Sequence, residues 1–262
     1  MKDKTIIITG ASSGIGKAMA FELAAQGSNL VLASRNIREL ELIHKDLENS
    51  PGKIMVIRTD VSVDEDCKAV VDAAIDKFGS IDILVNNAGI SQRSLSKDTL
   101  IDVDRQLMNI NFFGSVSMTK HALPHMISQN NGHIVVISSI VGKFGFPLRS
   151  GYAASKHALH GYFESLRAEV FQHKIHVTIV CPGRINTQIS VNALVQDGSK
   201  YGIMDNGQAK GINAEQCAKN IIKAIKNRKK EVVFGGSEVN LVWIRRFFPV
   251  FFYKLIRKIK PV

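Results

Sequence analysis

Residues 6–16 of the chain read IIITGASSGIG. An apolar run that leads into a glycine-rich turn and then into a helical pattern near Ile15 predicts a strand, a tight turn and a helix N-terminus. Glycines let the backbone approach a pyrophosphate, and the first N–H groups of a helix attract its charge. The spacing GxxxGxG is a weak signal alone, because a strand-to-helix turn without a ligand uses the same residues. As a dinucleotide site, it would use Gly10, Ser12, Ser13, Gly14, Ile15 and Gly16.

Apolar runs and helical patterns alternate along the rest of the chain. The predicted strands are Thr5–Thr9, Asn29–Ala33, Ile54–Arg58, Ile83–Asn86, His133–Ser138, Ile175–Cys181 and Glu231–Phe234. The predicted helices are 15–26, 36–48, 64–78, 100–128, 151–172 and 214–228. Most strands are continuously apolar, as expected when both faces are buried. This alternation predicts an α/β fold of the Rossmann type, a doubly wound sheet of about seven parallel strands with helices on both faces.

The composition fits one domain, because 45 % of the 262 residues are hydrophobic. We expect that domain over residues 1–240, with the weakly periodic segment 184–213 as a lid over a site. Cys67, Cys181 and Cys217 have no metal-ligand spacing, which predicts no metal and a reducing compartment. The N-terminus lacks the pattern of a signal peptide or an anchor, so we expect a cytoplasmic protein.

The end of the second predicted strand, 32–36, indicates the cofactor. NAD-preferring sites place an acidic residue there to bond the ribose hydroxyls, and this stretch has none. Ser34 and Arg35 can instead bind a 2′-phosphate, with Asn36 beside them. The sequence therefore favours NADP(H) over NAD(H), and the alternative is that Arg35 is a solvated residue at the start of a helix.

Two further loops follow strands of the predicted sheet. Asp60-Val61 follows the third strand, where Asp60 can bond an adenine amino group. Asn86-Asn87-Ala88-Gly89 follows the fourth, and its small and amide side chains suit a backbone that passes close to a cofactor. As isolated dipeptides, both are also ordinary loop sequences.

Three residues form a candidate catalytic set. Ser139 follows the fifth strand, at the edge where ligands bind in open α/β sheets. Tyr152 and Lys156 are four residues apart and share one helix face. A nearby ammonium lowers the pKa of a tyrosine, so Tyr152 could exchange a proton with a carbonyl oxygen while Lys156 tunes it and holds the nicotinamide ribose. Ser139 would bond the substrate oxygen.

Taken together, these motifs resemble the short-chain dehydrogenase/reductase (SDR) superfamily over residues 4–235. The matching motifs are TGASSGIG at 9–16, DV at 60–61, NNAG at 86–89, Ser139, YAASK at 152–156 and PG at 182–183. The resemblance implies a fourth catalytic residue, Asn111, which would hold a water between Lys156 and solvent, with Asn109 ranked lower. It also implies cofactor contacts from Pro182, Gly183, Ile185 and Thr187, with Thr187 on the nicotinamide carboxamide.

The stretch 146–158 and the stretch 190–198 resemble, more narrowly, the SDR family member seven-like carbonyl reductases of lipophilic substrates. That resemblance implies an NADP(H)-dependent oxidoreductase for a ketone or aldehyde and its alcohol, on a steroid-, retinoid- or lipid-like molecule. Phe144, Phe146, Pro147, Leu148 and segment 188–213 would form the apolar pocket. The alternatives are a 3-oxoacyl reductase of the fatty-acid type and a catalytically idle dinucleotide-binding sensor or scaffold. The resemblance also implies a homodimer or homotetramer through helices 100–128 and 151–172.

The net charge of +11 is concentrated at the C-terminus. Residues 241–262 form a basic amphipathic tail without an acidic residue, and no nucleic-acid motif accompanies the charge. A helix beginning near Pro249 would place Phe251, Phe252, Leu255, Ile256 and Ile259 on one side. Lys254, Arg257, Lys258 and Lys260 would lie on the other. We expect either peripheral contact with an anionic membrane or packing on the protein itself.

Overall fold

The computed structural model describes residues 1–259, so Lys260 and the last two residues of the predicted tail lie outside the described residues. The strands are β1 (Thr5–Thr9), β2 (Asn29–Ser34), β3 (Ile54–Arg58), β4 (Ile83–Asn86), β5 (Gly132–Ile137), β6 (Ile175–Pro182), β7 (Ile185–Asn186), β8 (Ile212–Asn213) and β9 (Glu231–Phe234). The helices are α1 (Gly14–Ala24), α2 (Ile37–Asp46), α3 (Asp64–Phe78), α4 (Ile101–Met108), α5 (Gly114–Ser128), α6 (Ser150–Glu169), α7 (Asn206–Ala209), α8 (Ala214–Lys226), α9 (Asn240–Phe247) and α10 (Pro249–Ile256).

Seven strands form one parallel sheet in the order β3-β2-β1-β4-β5-β6-β9. The chain winds outward from β1 to β3, then crosses back to place β4 on the other side of β1. Such a reversal opens a crevice at the carboxyl ends of the two neighbouring strands, where ligands bind in sheets of this kind. The predicted fold class, a doubly wound sheet of seven parallel strands, is confirmed.

Both faces of the sheet are covered by helices. Along β1, Ile6 and Ile8 pack on the layer of α1, α2 and α8, whereas Ile7 packs on the layer of α3, α5 and α6. Side chains alternate across a strand, so a strand covered on both faces needs an apolar residue at every position. This explains why the strand sequences are continuously apolar.

The predicted helix 100–128 is interrupted in the structure. A turn of π-helix at Asn109–Phe113 separates α4 from α5 and contains Asn111. The segment 184–213, predicted as a lid from its weak periodicity, holds the short ladder of β7 and β8 as well as α7. The other predicted elements are present, with ends that differ by a few residues.

The C-terminal segment forms two short helices, and α10 begins at Pro249 as predicted. Phe252 is buried, and its ring lies 5.3 Å from that of Phe144 with the two planes at 62°. The packing alternative is therefore correct for Phe252, whereas Phe251, predicted on the same face, is exposed. Within residues 1–259, no helix has both the length and the apolarity needed to cross a bilayer.

Candidate active site

A cleft of about 1180 Å³ lies at the carboxyl ends of the strands. It extends from the glycine-rich turn to Tyr152 and Lys156, and on to the segment 184–213. The predicted site residues that line it are Gly10, Ser12, Ser13, Gly14, Ile15, Ser34, Arg35, Asn36, Asp60, Val61, Asn87, Ala88, Gly89, Ser139, Tyr152, Lys156, Pro182, Gly183, Ile185 and Thr187. Two predicted residues, Gly16 and Asn111, lie behind this surface.

The glycine-rich turn is held against the end of β4. Asn87 Nδ2 donates hydrogen bonds to the carbonyl oxygens of Thr9 and Gly10, at 2.8 and 3.2 Å. Gly10 has φ of +65°, and a Cβ there would lie 2.9 Å from Ala88 Cα. A Cβ on Gly16 would lie 2.4 Å from the Gly10 oxygen, so Gly16 permits close packing and does not line the cleft. The cradle fits a dinucleotide because Gly10 and Gly14, which carry no side chain, leave the backbone of the turn open to the cleft.

The end of β2 closes the other side of this cradle. Ser34 Oγ lies 2.7 Å from Ser12 Oγ, and the Arg35 side chain is exposed. Asn36 is the N-cap of α2 and accepts a 3.3 Å bond from Glu39 N. Burial opposes ionisation of Asp60, but bonds from Ser62 and the charge of Arg35 lower its pKa. The Ser34 hydroxyl and the exposed Arg35 guanidinium therefore border the cleft at the predicted position.

Tyr152 lies in the first turn of α6, which is capped from a distant loop. The buried Gln92 accepts bonds through Oε1 from the backbone N–H groups of Gly151 and Tyr152, at 2.9 and 3.3 Å. These two donors have no partner within their own helix. Gln92 therefore fixes the start of α6 and, with it, the position of Tyr152 in the cleft. Sequence patterns did not indicate this long-range contact.

The electrostatic surroundings of Tyr152 include two arginines as well as Lys156. Burial raises the pKa of Tyr152, while a hydrogen bond with Ser139 and the charges of Arg93 and Arg149 oppose that rise. Lys156 Nζ lies 5.8 Å from the centre of the Tyr152 ring, and the predicted tuning of Tyr152 by this ammonium stays a prediction. Arg93 and Arg149, which sequence reasoning missed, are therefore two further cations that favour the phenolate.

Lys156 is buried behind Tyr152. Its Nζ donates a 2.7 Å hydrogen bond to the carbonyl oxygen of Ile137, at the end of β5. Burial lowers the pKa of Lys156 to about 8. The side chain is thus held at the floor of the cleft, and its pKa lies closer to neutral pH than that of an exposed lysine.

Asn111 is placed by the π-helical turn. Its Oδ1 accepts a 2.8 Å bond from Ile90 N, while Nδ2 donates to Ile90 O at 3.0 Å and to Ser155 Oγ at 2.9 Å. The side chain thus fixes the loop after β4 against α6. The predicted water between Asn111 and Lys156 stays a prediction.

The outer part of the cleft is apolar on one side and charged on the other. Phe144, Phe146 and Leu194 line it, as do Leu241 of α9 and Ile259. The predicted pocket residues Pro147 and Leu148 are not among the residues that line it, and Leu148 has a φ of +63°.

The charged side holds a buried cluster from three parts of the chain. Arg93 Nε donates to Asp205 Oδ2 at 2.9 Å, and Arg149 donates to the same oxygen at 3.2 Å. Asp205 belongs to the segment 184–213, so the ion pair holds that segment over the cleft. Arg149 stands three residues before Tyr152, which is the one sequence signal that could have pointed to it.

The short chain dehydrogenase family matches residues 4–198 of this chain. The chain is 44 % identical to bovine (Bos taurus) dehydrogenase/reductase SDR family member 7B over 266 residues, covering 98 % of this chain and 81 % of the relative. It is 40 % identical to the SDR family protein 7-like of Anopheles gambiae over 264 residues, covering 98 % and 83 %. The resemblance predicted from the motifs is thereby confirmed.

Solved structures have the same fold. A short-chain dehydrogenase from Burkholderia phymatum in complex with NAD is 24 % identical, with a TM-score of 0.84, and the match covers 100 % of this chain and 97 % of that one. At this identity the likeness concerns the fold, and it agrees with the order of strands described above.

Proposed function

The chain belongs to the short-chain dehydrogenase/reductase family and is an oxidoreductase acting on CH–OH groups, and we propose that it uses NADP(H) to interconvert a lipophilic ketone or aldehyde and its alcohol. The observation that carries the proposal is one continuous cleft. It joins a glycine cradle, the Ser139–Tyr152–Lys156 set and an apolar outer wall.

The choice of NADP(H) is supported by the end of β2. Ser34 and Arg35 border the cleft there, and the stretch 32–36 has no carboxylate for a ribose hydroxyl. A guanidinium pairs with a phosphate through charge-assisted hydrogen bonds. Because Arg35 extends into solvent, a 2′-phosphate can reach it without displacing another side chain.

The geometry supports reduction with the proton supplied by Tyr152. Bound NADPH would supply a hydride to the carbonyl carbon. Tyr152 O–H donates its proton to the carbonyl oxygen, and Ser139, bonded to Tyr152, orients that oxygen. The resulting phenolate is favoured by the charges of Arg93 and Arg149. In the reverse direction, Tyr152 as phenolate takes the proton from the alcohol.

A lipophilic substrate is supported by the outer wall of the cleft. Phe144, Phe146 and Leu194 approach from the body of the protein, and Leu241 approaches from α9. Pockets with apolar walls and few polar groups bind apolar ligands and orient them by those polar groups. Here the polar groups are Ser139 and Tyr152, at the inner end.

The test is the absorbance of NADPH in the presence of a panel of lipid ketones, with NADH compared in parallel. We expect turnover of lipophilic ketones with NADPH preferred. Tyr152→Phe should bind NADPH normally and lose about 100-fold or more in turnover, because only the acid/base oxygen is removed. Faster turnover of 3-oxoacyl thioesters than of lipid ketones would favour the alternative of a 3-oxoacyl reductase. NADPH binding without turnover of any carbonyl would favour the alternative of a catalytically idle sensor. If Tyr152→Phe keeps a rate near that of the wild type, Tyr152 is not the proton donor.

A further inference from the structure

We propose that the C-terminal helix pair docks this protein on an anionic lipid surface, beside the mouth of the cleft. The docking surface, here called the aromatic face, consists of Trp243, Phe247, Phe248, Val250, Phe251 and Tyr253. These six side chains are between 49 % and 70 % exposed. Of the fifteen large hydrophobic side chains exposed among residues 1–259, these six lie within eleven residues of sequence. The other nine are spread from Leu42 to Ile203, and no more than three of them, Leu95, Leu100 and Ile101, lie close together in sequence. An exposed apolar patch as concentrated as the aromatic face marks a site of interaction.

The charges beside the aromatic face indicate which occupant fits. Arg245, Arg246 and Lys254 belong to the same two helices, Arg257 and Lys258 follow directly after α10, and no acidic residue follows Glu238. Among the described residues 1–259, none of these five basic side chains forms an ion pair. A second copy of the chain placed symmetrically on this face would bring like charges together. An anionic bilayer surface satisfies both the charge and the apolar side chains.

The aromatic side chains have the geometry of an interfacial segment. The ring planes of Trp243 and Phe247 are nearly parallel, with centroids 6.3 Å apart. Arg245 lies 5.1 Å from the ring centre of Tyr253, and Arg246 lies 5.9 Å from that of Phe247. Aromatic rings and long basic side chains together occupy the headgroup level of a bilayer. Helices of eight residues are too short to span, so they would lie on the surface.

The opposite side of the pair reaches the cleft. Phe252 packs on Phe144, and both Phe144 and Leu241 line the cleft. A helix pair that lies on lipid with one side and lines the cleft with the other gives a lipophilic molecule a short apolar path from bilayer to Tyr152. This role in delivery rests on the proposed function, whereas docking itself does not.

Docking is tested by co-sedimentation with phosphatidylcholine vesicles that contain or lack phosphatidylserine. We expect the full chain to sediment with the anionic vesicles, and high salt should weaken this binding without abolishing it, because the apolar part is unscreened. The triple variant Trp243→Ser, Phe247→Ser, Phe251→Ser should lose binding. The matched control Phe113→Ser, Phe171→Ser removes exposed rings elsewhere and should retain it. The proposal is wrong if the triple variant and the control both lose binding, or if the full chain does not sediment with the anionic vesicles.

A second set of variants separates charge from apolar contact. Arg246→Gln, Lys254→Gln, Lys258→Gln should weaken binding about 100-fold, because each cation near an anionic surface contributes about a factor of five. Lys226→Gln, Lys229→Gln, Lys230→Gln removes the same charge from another basic stretch and should have a much smaller effect. If the aromatic variant instead changes the oligomeric state measured by light scattering and leaves vesicle binding unchanged, a second copy covers the face and the proposal is wrong.

Delivery is tested separately from docking. The triple aromatic variant should turn over a short water-soluble ketone at the wild-type rate and a vesicle-dissolved long-chain ketone more slowly. Equal rates on both ketones would exclude delivery. Failure of the proposed function is distinguishable, because it would abolish turnover of both ketones in the wild type while vesicle binding, which requires no turnover, would persist.

Discussion

Arg35 is the residue that should decide between the two nicotinamide cofactors. Arg35→Asp removes the phosphate partner and places a carboxylate where a ribose hydroxyl can donate to it. Hydrogen bonds to charged groups contribute about 1.5–3 kcal/mol, so the preference for NADPH should fall by about 10- to 100-fold. The measurement is kcat/KM with NADPH and with NADH.

The matched control is Arg38→Asp, an exposed arginine in the first turn of α2. It should leave the ratio of the two kcat/KM values close to that of wild type. If Arg38→Asp shifts the ratio and Arg35→Asp does not, the phosphate is read by Arg38 and the interpretation of the β2 end is wrong.

At the residue scale, the sequence predicted the groups that belong to local motifs. Ser139, Tyr152 and Lys156 were predicted because their spacing is visible along the chain, and the structure brings them to one cleft. Arg93 and Gln92 were not predicted, because they act on Tyr152 across a distance of about 60 residues of sequence. The pKa of Tyr152 also depends on burial, which no spacing reveals.

At the scale of elements, α10 should be stabilised by one buried ring. Phe252 is 2 % exposed and packs on Phe144, whereas its neighbour Phe251 is 57 % exposed. Phe252→Ala should lower the free energy of unfolding by about 3 kcal/mol, because it leaves a cavity in a packed cluster. Phe251→Ala should change it by less than about 0.5 kcal/mol. Urea denaturation of the two variants makes the comparison, and equal losses would mean that α10 is not packed as described.

Two elements were predicted incompletely, each for a physical reason. The pattern of apolar residues over 100–128 indicates a helix but not which carbonyl each N–H bonds, so the π-helical turn at Asn109–Phe113 was not predicted. A helical wheel over 250–259 separates apolar from basic positions, but it does not state which apolar side chain meets the protein. Phe251 and Phe252 are neighbours on that wheel, and only tertiary packing distinguishes them.

At the scale of the whole molecule, the predicted fold class followed from rules on α/β chains more than from any single residue. Continuous apolar strands alternating with helices leave few topologies other than a doubly wound parallel sheet. The division into a domain at 1–240 and a tail stays a prediction, and so does the dimer or tetramer. Phe113, in the π-helical turn before α5, and Phe171, just beyond α6, leave large exposed rings near the faces implied for assembly.

Two buried histidines should make the whole fold sensitive to mild acid. Burial, aided by the charges of His176 and Arg228, lowers the pKa of His133 from 6.5 to about 4, and burial and Lys143 lower that of His160 to about 4. Between pH 6.5 and 4 the unfolded chain therefore binds protons that the folded chain does not, and stability falls as the pH falls through that range. Carboxyl groups with lowered pKa values, such as Asp60, reduce the stability of the fold only at still lower pH.

One pKa unit corresponds to about 1.4 kcal/mol, so each histidine should remove up to about 3 kcal/mol by the acid end of this range. Urea denaturation at a series of pH values measures the loss. His133→Gln keeps a polar partner for Thr178, which lies 2.8 Å from His133 Nε2, but cannot bind the proton. The variant should therefore lose about half as much stability on acidification as the wild type, and His160→Gln should behave alike. A free energy of unfolding that stays constant in the wild type over this pH range would mean that neither ring is held neutral by burial.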